Sequence, residues 1–322
     1  MTDKIAIVVE WENALLSEVA RAEEMFRRLQ LQTIEAARNH NAQFELMLIY
    51  DSDAIDRTVP AKVVAECIDA ETWPGSIKLI AAPGLSYYDQ KNFGARQTDA
   101  DIVIFVDSDV VPDPNWLRHI LEAMRDPSVQ VVSGETYLST DTYLDRIFAA
   151  FWLFDIKKPA RGVYEAKNFY ANNVAFRGDV IRKFSFPQAD TYRGQCTMLA
   201  KQLRSADIRL HRAGSAMVSH PAPTGWSHFI SRAVCHGHDI VLSNRRKRFG
   251  WLKASPLGSV ARFVRDVGQT PARIVRRRKA SVNSIPGMLT ALGFAIAYAT
   301  FKMGGEIVTF ISPETVRRRF SI

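Results

Sequence analysis

At 322 residues with 47% hydrophobic content, the chain has material for one large domain or two smaller ones, each with a sizeable core. Three scattered cysteines, Cys67, Cys196 and Cys235, form no CxxC pair, which argues against a disulfide framework and for a reducing compartment. The formal net charge of +8 is uneven: residues 245–279 hold twelve Lys/Arg and one acidic residue (+11), residues 280–322 add four basic and two acidic (+2), and −5 is left for residues 1–244. A mildly acidic body thus precedes a basic segment suited to an anionic surface.

In chain order, residues 5–9 form a short apolar run that reads as a first buried strand, too short for the apolar core of a signal peptide. Residues 13–39 carry helical periodicity, with Met25, Phe26 and Leu29 among the apolar side. Residues 44–50 read as a second strand ending at Asp51-Ser52-Asp53, residues 59–70 as a helix, and residues 77–81 as a third strand. A helix over 88–98 leads to the run Ile102-Val-Ile-Phe-Val106, a strand buried on both faces. A helix over 116–124 and a short strand over 129–133 complete this half. Alternating strands and helices predict a parallel, doubly wound α/β sheet. Beyond residue 134 aromatics become dense, and a helix over 197–205, a strand over 208–211 and the run ending at His220-Pro221 follow.

Asp107-Ser108-Asp109 leaves the end of the fourth strand. Two carboxylates so close repel each other unless a cation or strong donors lie between them. A hard ion such as Mg²⁺ or Mn²⁺ takes one or two carboxylates and completes its shell with phosphate oxygens and water. The strand end therefore predicts a metal–diphosphate site, at the carboxyl edge where open α/β sheets hold ligands. An Asx-rich turn is the structural alternative. Glu10 and Asp51 end neighbouring strands on the same edge.

The set of residues 5–9, Asp51, Lys91-Asn92-Phe93-Gly94-Ala95, Asp107-Ser108-Asp109 and His220 resembles glycosyltransferase family 2, over roughly residues 5–240. The resemblance implies a GT-A, Rossmann-like fold, a nucleotide-diphospho-sugar donor (a UDP-sugar favoured), Mg²⁺ or Mn²⁺, and inverting transfer to a glycan or lipid-linked acceptor. It implies Asp107, Asp109 and His220 as metal ligands, with Glu10, Asp51, Lys91, Asp107, Ser108, Asp109, Asn172 and Asn173 around the donor. The sequence departs from the family at Glu10-Trp11-Glu12-Asn13, where Pro-Thr/Ser-Tyr-Asn is usual. It departs again at Arg193-Gly194-Gln195, where an acidic residue is usual and an amide cannot serve as a base. Asp190 is the nearest replacement, with Glu165 next. Trp152 and Trp226 are candidates for sugar stacking, although core packing is the simpler expectation.

The expected domains are a catalytic domain over 1–240, with a nucleotide-binding half at 1–133 and an acceptor half at 134–240, and a helical segment over 241–322. In that segment, Arg245-Arg-Lys-Arg248 and Arg276-Arg-Arg-Lys279 precede an apolar stretch over 285–301, interrupted by Lys302 and Glu306. Seventeen residues is short for a spanning helix, so peripheral or monotopic association with the cytoplasmic membrane face is expected. A helix buried in the protein or in a homodimer is the alternative. Nucleic acid is not an expected partner, because few aromatics interleave with the arginines. A nucleotidyltransferase would want a glycine-rich loop after the first strand, which is absent from the sequence there. A nucleotide-sugar-binding relative without transferase activity is the other alternative.

Overall fold

The computed structural model describes residues 3–16, 19–152, 154–245 and 253–320. In chain order the elements are β1 (Asp3–Glu10), α1 (Glu12–Leu16), α2 (Val19–His40), β2 (Ala42–Tyr50), α3 (Thr58–Cys67), β3 (Gly75–Ala81), α4 (Tyr87–Arg96), β4 (Ile102–Asp107), β5 (Val111–Pro112), α5 (Trp116–Met124), β6 (Val131–Leu138), α6 (Tyr143–Ala149), β7 (Val163–Ala166), β8 (Asn173–Arg177), α7 (Gly178–Lys183), α8 (Gln195–Ser205) and β9 (Leu210–His220). The helices α9 (Gly225–Arg245), α10 (Pro256–Arg277), α11 (Ile285–Ile311) and α12 (Pro313–Phe320) follow. The chain divides into two compact units. One comprises Met1–Tyr137, Lys158–Gln188 and Gln195–His220; the other comprises Leu138–Lys157, Ala189–Gly194 and Pro221–Ile322.

The first unit is built on a nine-stranded sheet among the described residues, in the order β3-β2-β1-β4-β8-β6-β9-β5, with β7 also on β9. The expected α/β fold is present, and β3, β2, β1 and β4 are mutually parallel. Every residue of β4 is buried, as its unbroken apolar run requires. Beyond β4 the sheet continues with antiparallel pairs to β8 and then β6. Alternate side chains of the parallel strands enter opposite cores. Ile5, Ile7 and Val9 meet Met25, Phe26 and Leu29 on one face. Ala6 and Val8 join Phe105, Phe176 and Phe186 on the other. Each fully buried Phe contributes on the order of 2 kcal/mol of transfer free energy. On this second face α4 lies close to the sheet, because a Cβ on Gly94 would come within 2.6 Å of Val8 Cγ1.

The second unit is helical. Here α11 turns Ala291, Ala295, Ala299, Lys302, Gly305 and Glu306 inward. Glycine permits a backbone-to-backbone approach of α9 to α11: a Cβ on Gly237 would lie 2.1 Å from Lys302 O, and one on Gly305 2.2 Å from Val234 O. The two charges that interrupt the apolar stretch are both paired with α10. Lys302 binds Asp266, and Glu306 Oε2 accepts from Arg262 at 2.9 and 2.5 Å. Trp152 is buried against Tyr298 as core, but Trp226 is 61% exposed and stacks on Phe294. By length and composition, α11 is long and apolar enough to cross a membrane, and one-third of its most apolar window is buried. Of the first basic cluster, Arg246, Lys247 and Arg248 lie outside the described residues.

Candidate active site

The register of the parallel strands assembles the site. Glu10, the last residue of β1, pairs with Asp107, the last residue of β4, and with Ile49 of β2. Asp51 follows β2 directly. These carboxylates therefore share one edge of the sheet, as alternating strands and helices predict.

Asp107 is buried and held by donors from two helices. Its Oδ1 lies 2.7 Å from Lys91 Nζ, and Tyr87 Oη donates toward the same carboxylate at 2.8 and 2.9 Å. Asn13 Nδ2 donates to its Oδ2 at 3.0 Å and to Glu10 Oε1 at 2.8 Å, linking the two acids. Lys91 is fully buried beneath Asp107, its ammonium 4.7 Å from the Tyr87 ring centre. Burial first, and then the charge of Asp107, raise the Glu10 carboxyl well above the usual carboxylate range, while Lys91 works against the rise.

Asp109 is turned elsewhere. Its Oδ2 is 3.7 Å from His220 Nε2, beyond hydrogen-bond reach. Both side chains are largely buried, at 5% and 13% exposed. Arg21 of α2 ties Asp109 to Ser219, the neighbour of His220: Nε donates to Asp109 O at 2.9 Å, and Nη2 donates to Ser219 O at 2.9 Å and Ser219 Oγ at 3.1 Å. A carboxylate and an imidazole at this separation can both reach one divalent ion at ligand distances of about 2.1 Å. Among the described residues no group of three or more His, Cys, Asp or Glu side chains is disposed to hold a metal. The donor set thus suits an ion that draws its remaining ligands from diphosphate oxygens and water, as Mn²⁺ and Mg²⁺ do.

Other residues singled out in the sequence have different surroundings. Asp51 Oδ1 accepts from Asp53 N and Gly84 N, both at 2.9 Å, and fixes the loops after β2 and β3. Ser108 is fully buried, with Oγ accepting from Ala14 N at 2.9 Å, so its hydroxyl docks α1. Asn173 is 1% exposed. Its amide donates to Glu135 O and Ala216 O and accepts from Trp116 Nε1, so it clamps the sheet. Asn172 is buried beside it, accepting from Thr136 Oγ1 at 3.0 Å. Glu165 lies exposed on β7, opposite His211 of β9. In the helical unit, Asp190 is 62% exposed, 3.4 Å from Arg317 Nη2, with its carbonyl 3.0 Å from His238 Nε2. Gln195 is buried at the start of α8. Asn13, Tyr87 and Arg21 were not singled out from the sequence. Tyr87 precedes Lys91 by one helical turn, and that spacing was the available signal; Arg21 acts through backbone carbonyls, which no motif records.

Residues 29–183, which include the Asp107–Asp109 strand end, match glycosyl transferase family 2. This region belongs to that family. The match supports glycosyltransferase activity. A search of curated proteins finds no match. Among solved structures, the mannosyltransferase PcManGT from Pyrobaculum calidifontis, in complex with GDP-Man and Mn²⁺, is similar over 97% of this chain and 88% of its own, with a TM-score of 0.55 and 16% identity. At that identity the likeness speaks for a shared GT-A fold.

Proposed function

We propose that this family 2 glycosyltransferase is divalent-metal-dependent and inverting, moving a sugar from a nucleoside diphosphate to a glycan or lipid-linked acceptor at a membrane surface. The observation that carries the proposal is the separation of roles between the two aspartates. Asp107 is held by Lys91, Tyr87 and Asn13, whereas Asp109 faces His220 at a spacing an ion can bridge. An ion bound there would neutralise charge on the leaving diphosphate.

The chain's own residues do the rest. Lys91 and Tyr87 hold Asp107 at the strand end, where its outer edge can meet the donor ribose. Glu10 and loop-fixed Asp51 offer hydrogen bonds to a nucleotide base, Asp51 favouring uridine. Arg21 keeps Asp109 and His220 in one geometry, limiting the reorganisation needed when a donor arrives. The acceptor hydroxyl proton is assigned to Asp190, with Glu165 as the second choice.

Surface chemistry supports the membrane reading. Leu257, Val260, Val264 and Val275 of α10 and Ile285 and Leu289 of α11 are between 49% and 80% exposed. Exposed Arg276, Arg278 and Lys279 lie at the end of α10. An apolar row flanked by cations suits a helix lying in the interface of an anionic bilayer.

The test is release of nucleoside diphosphate from UDP-, GDP- and dTDP-hexoses with Mn²⁺, with Mg²⁺ and with chelator, alongside the anomeric configuration of any product. Mn²⁺-dependent release with inversion is expected. Donor binding without release would favour the non-catalytic relative suggested by Gln195. Full activity in chelator would refute metal dependence.

A further inference from the structure

The helical unit holds a cavity of about 280 Å³, open to solvent on the side of Arg265 and Arg273, that the proposed transfer does not use. It lies between α9, α10, α11 and the segment following α6. Trp152 and Tyr298, in edge-to-face contact with centroids 4.9 Å apart, give it an aromatic wall. Its charged lining is Arg265, Arg273 and Lys302 against one carboxylate, Asp266. Three cations less one anion leave an excess of +2.

That excess persists because Asp266 is shared. Arg265 donates to its Oδ1 at 3.0 and 2.8 Å, while Lys302 binds Oδ2. Burial opposes ionisation of Asp266, but the bonds from Lys302 and Arg265 outweigh it and hold the carboxyl below its usual range. Arg273 uses Nη1 on Phe151 O at 3.1 Å and has no carboxylate in the cavity besides Asp266. His236, also in the lining, sits 3.1 Å from Tyr298 Oη. Burial, then the charges of Lys302 and Arg232, push it down to about 4, so at neutral pH it adds a neutral donor and acceptor.

We infer that this cavity binds a phosphate monoester, its phosphate among Arg265, Arg273 and Lys302 and its organic group against Trp152 and Tyr298. A guanidinium fork matches phosphate oxygens bidentately. At neutral pH a phosphate monoester carries about −1.5 to −2, which meets the excess of the lining; a carboxylate would leave one cation unmatched. The volume lies near the lower end of small-molecule pockets, roughly 300 Å³, and so selects a small ester or a lipid headgroup over a nucleotide sugar. The inference is independent of the donor site, which belongs to the other unit.

The test uses the full chain, with glycerol phosphate as the soluble probe. Phosphatidylcholine vesicles doped with phosphatidic acid are the lipid probe, and vesicles doped with phosphatidylglycerol control for general negative charge. Glycerol phosphate should raise the melting temperature of the wild type by mass action. The double variant Arg265→Gln/Arg273→Gln should weaken that binding by at least about tenfold, some 1.4 kcal/mol. Arg318→Gln/Arg319→Gln, exposed on α12 and outside the cavity, should not. Ala299→Leu, which fills the cavity without changing charge, should block binding as well. Response to glycerol phosphate assigns a soluble ester, and preference for phosphatidic acid over phosphatidylglycerol vesicles without that response assigns a lipid headgroup. Wild-type response to neither probe, or binding at the wild-type level by both the double and the cavity-filling variants, overturns the inference. Mn²⁺-dependent nucleotide binding, measured on the same variants, should be unchanged, which separates failure here from failure of the transferase reading.

Discussion

Replacing Lys91 by Met tests whether the site is held together by one buried cation. The substitution keeps the aliphatic stem and removes the ammonium 2.7 Å from Asp107 Oδ1, where the two side chains are 0% and 6% exposed. Breaking a buried pair from one side costs about 3–5 kcal/mol, since the remaining charge stays desolvated. The hydrogen bonds from Tyr87 and Asn13 remain, so the lower part of that range applies. A second consequence concerns pH. Lys91 is the group that opposes the rise of the Glu10 carboxyl, and its loss pushes that carboxyl further up. A carboxyl raised in the folded state binds its proton more tightly there than in the unfolded chain, so the fold is favoured by acid and loses stability as pH rises through the folded value. The deficit of Lys91→Met should therefore be smaller at about pH 5 than at about pH 8. Urea unfolding followed by hydrogen exchange of β1 and β4 amides measures the sheet unit alone. A loss below about 1 kcal/mol, or an equal loss at both pH values, would refute the account of the network.

Asp109→Asn should abolish Mn²⁺-stimulated turnover while thermal stability is retained or improved; metal stimulation within a few-fold of wild type would remove Asp109 from the ligand set. Asp190→Asn should lower kcat at least about a hundredfold with donor affinity little changed. A comparable loss in Glu165→Gln, with Asp190→Asn near normal, would move the role to Glu165. In the helical unit, burial raises the Asp239 carboxyl to about 7 against the pull of backbone N–H donors from Arg193 and Tyr192. Its stabilising contribution is thus present in acid and lost as pH rises through about 7, and Asp239→Asn should flatten the pH dependence of unfolding in that window. Wild-type protein should sediment with anionic vesicles, with salt weakening the association, and Leu257→Glu/Val264→Glu should reduce it; protein that ignores all vesicles would refute the membrane assignment.

Much of the sheet unit was legible in the sequence, because parallel strands buried on both faces leave unbroken apolar runs. The run 102–106 marked β4, and the acidic residues that terminate such runs marked the edge where Glu10, Asp51 and Asp107 gather. The charge asymmetry of the tail could likewise be counted residue by residue. What the sequence could not supply was direction. Asp107 and Asp109 are two residues apart and chemically identical, yet one meets a buried lysine and the other a histidine more than a hundred residues later. That division depends on where α4 and β9 are placed, which packing at Gly94 and antiparallel pairing along the sheet decide. Asn173 shows the same gap: an amide suited to a sugar in the sequence is buried when Trp116, Glu135 and Ala216 converge on it. Lys302 and Glu306 interrupt an apolar segment as read linearly, but in three dimensions they face α10 and are neutralised there. Local composition determined which segments could be buried, and long-range pairing alone decided which partner each polar side chain met.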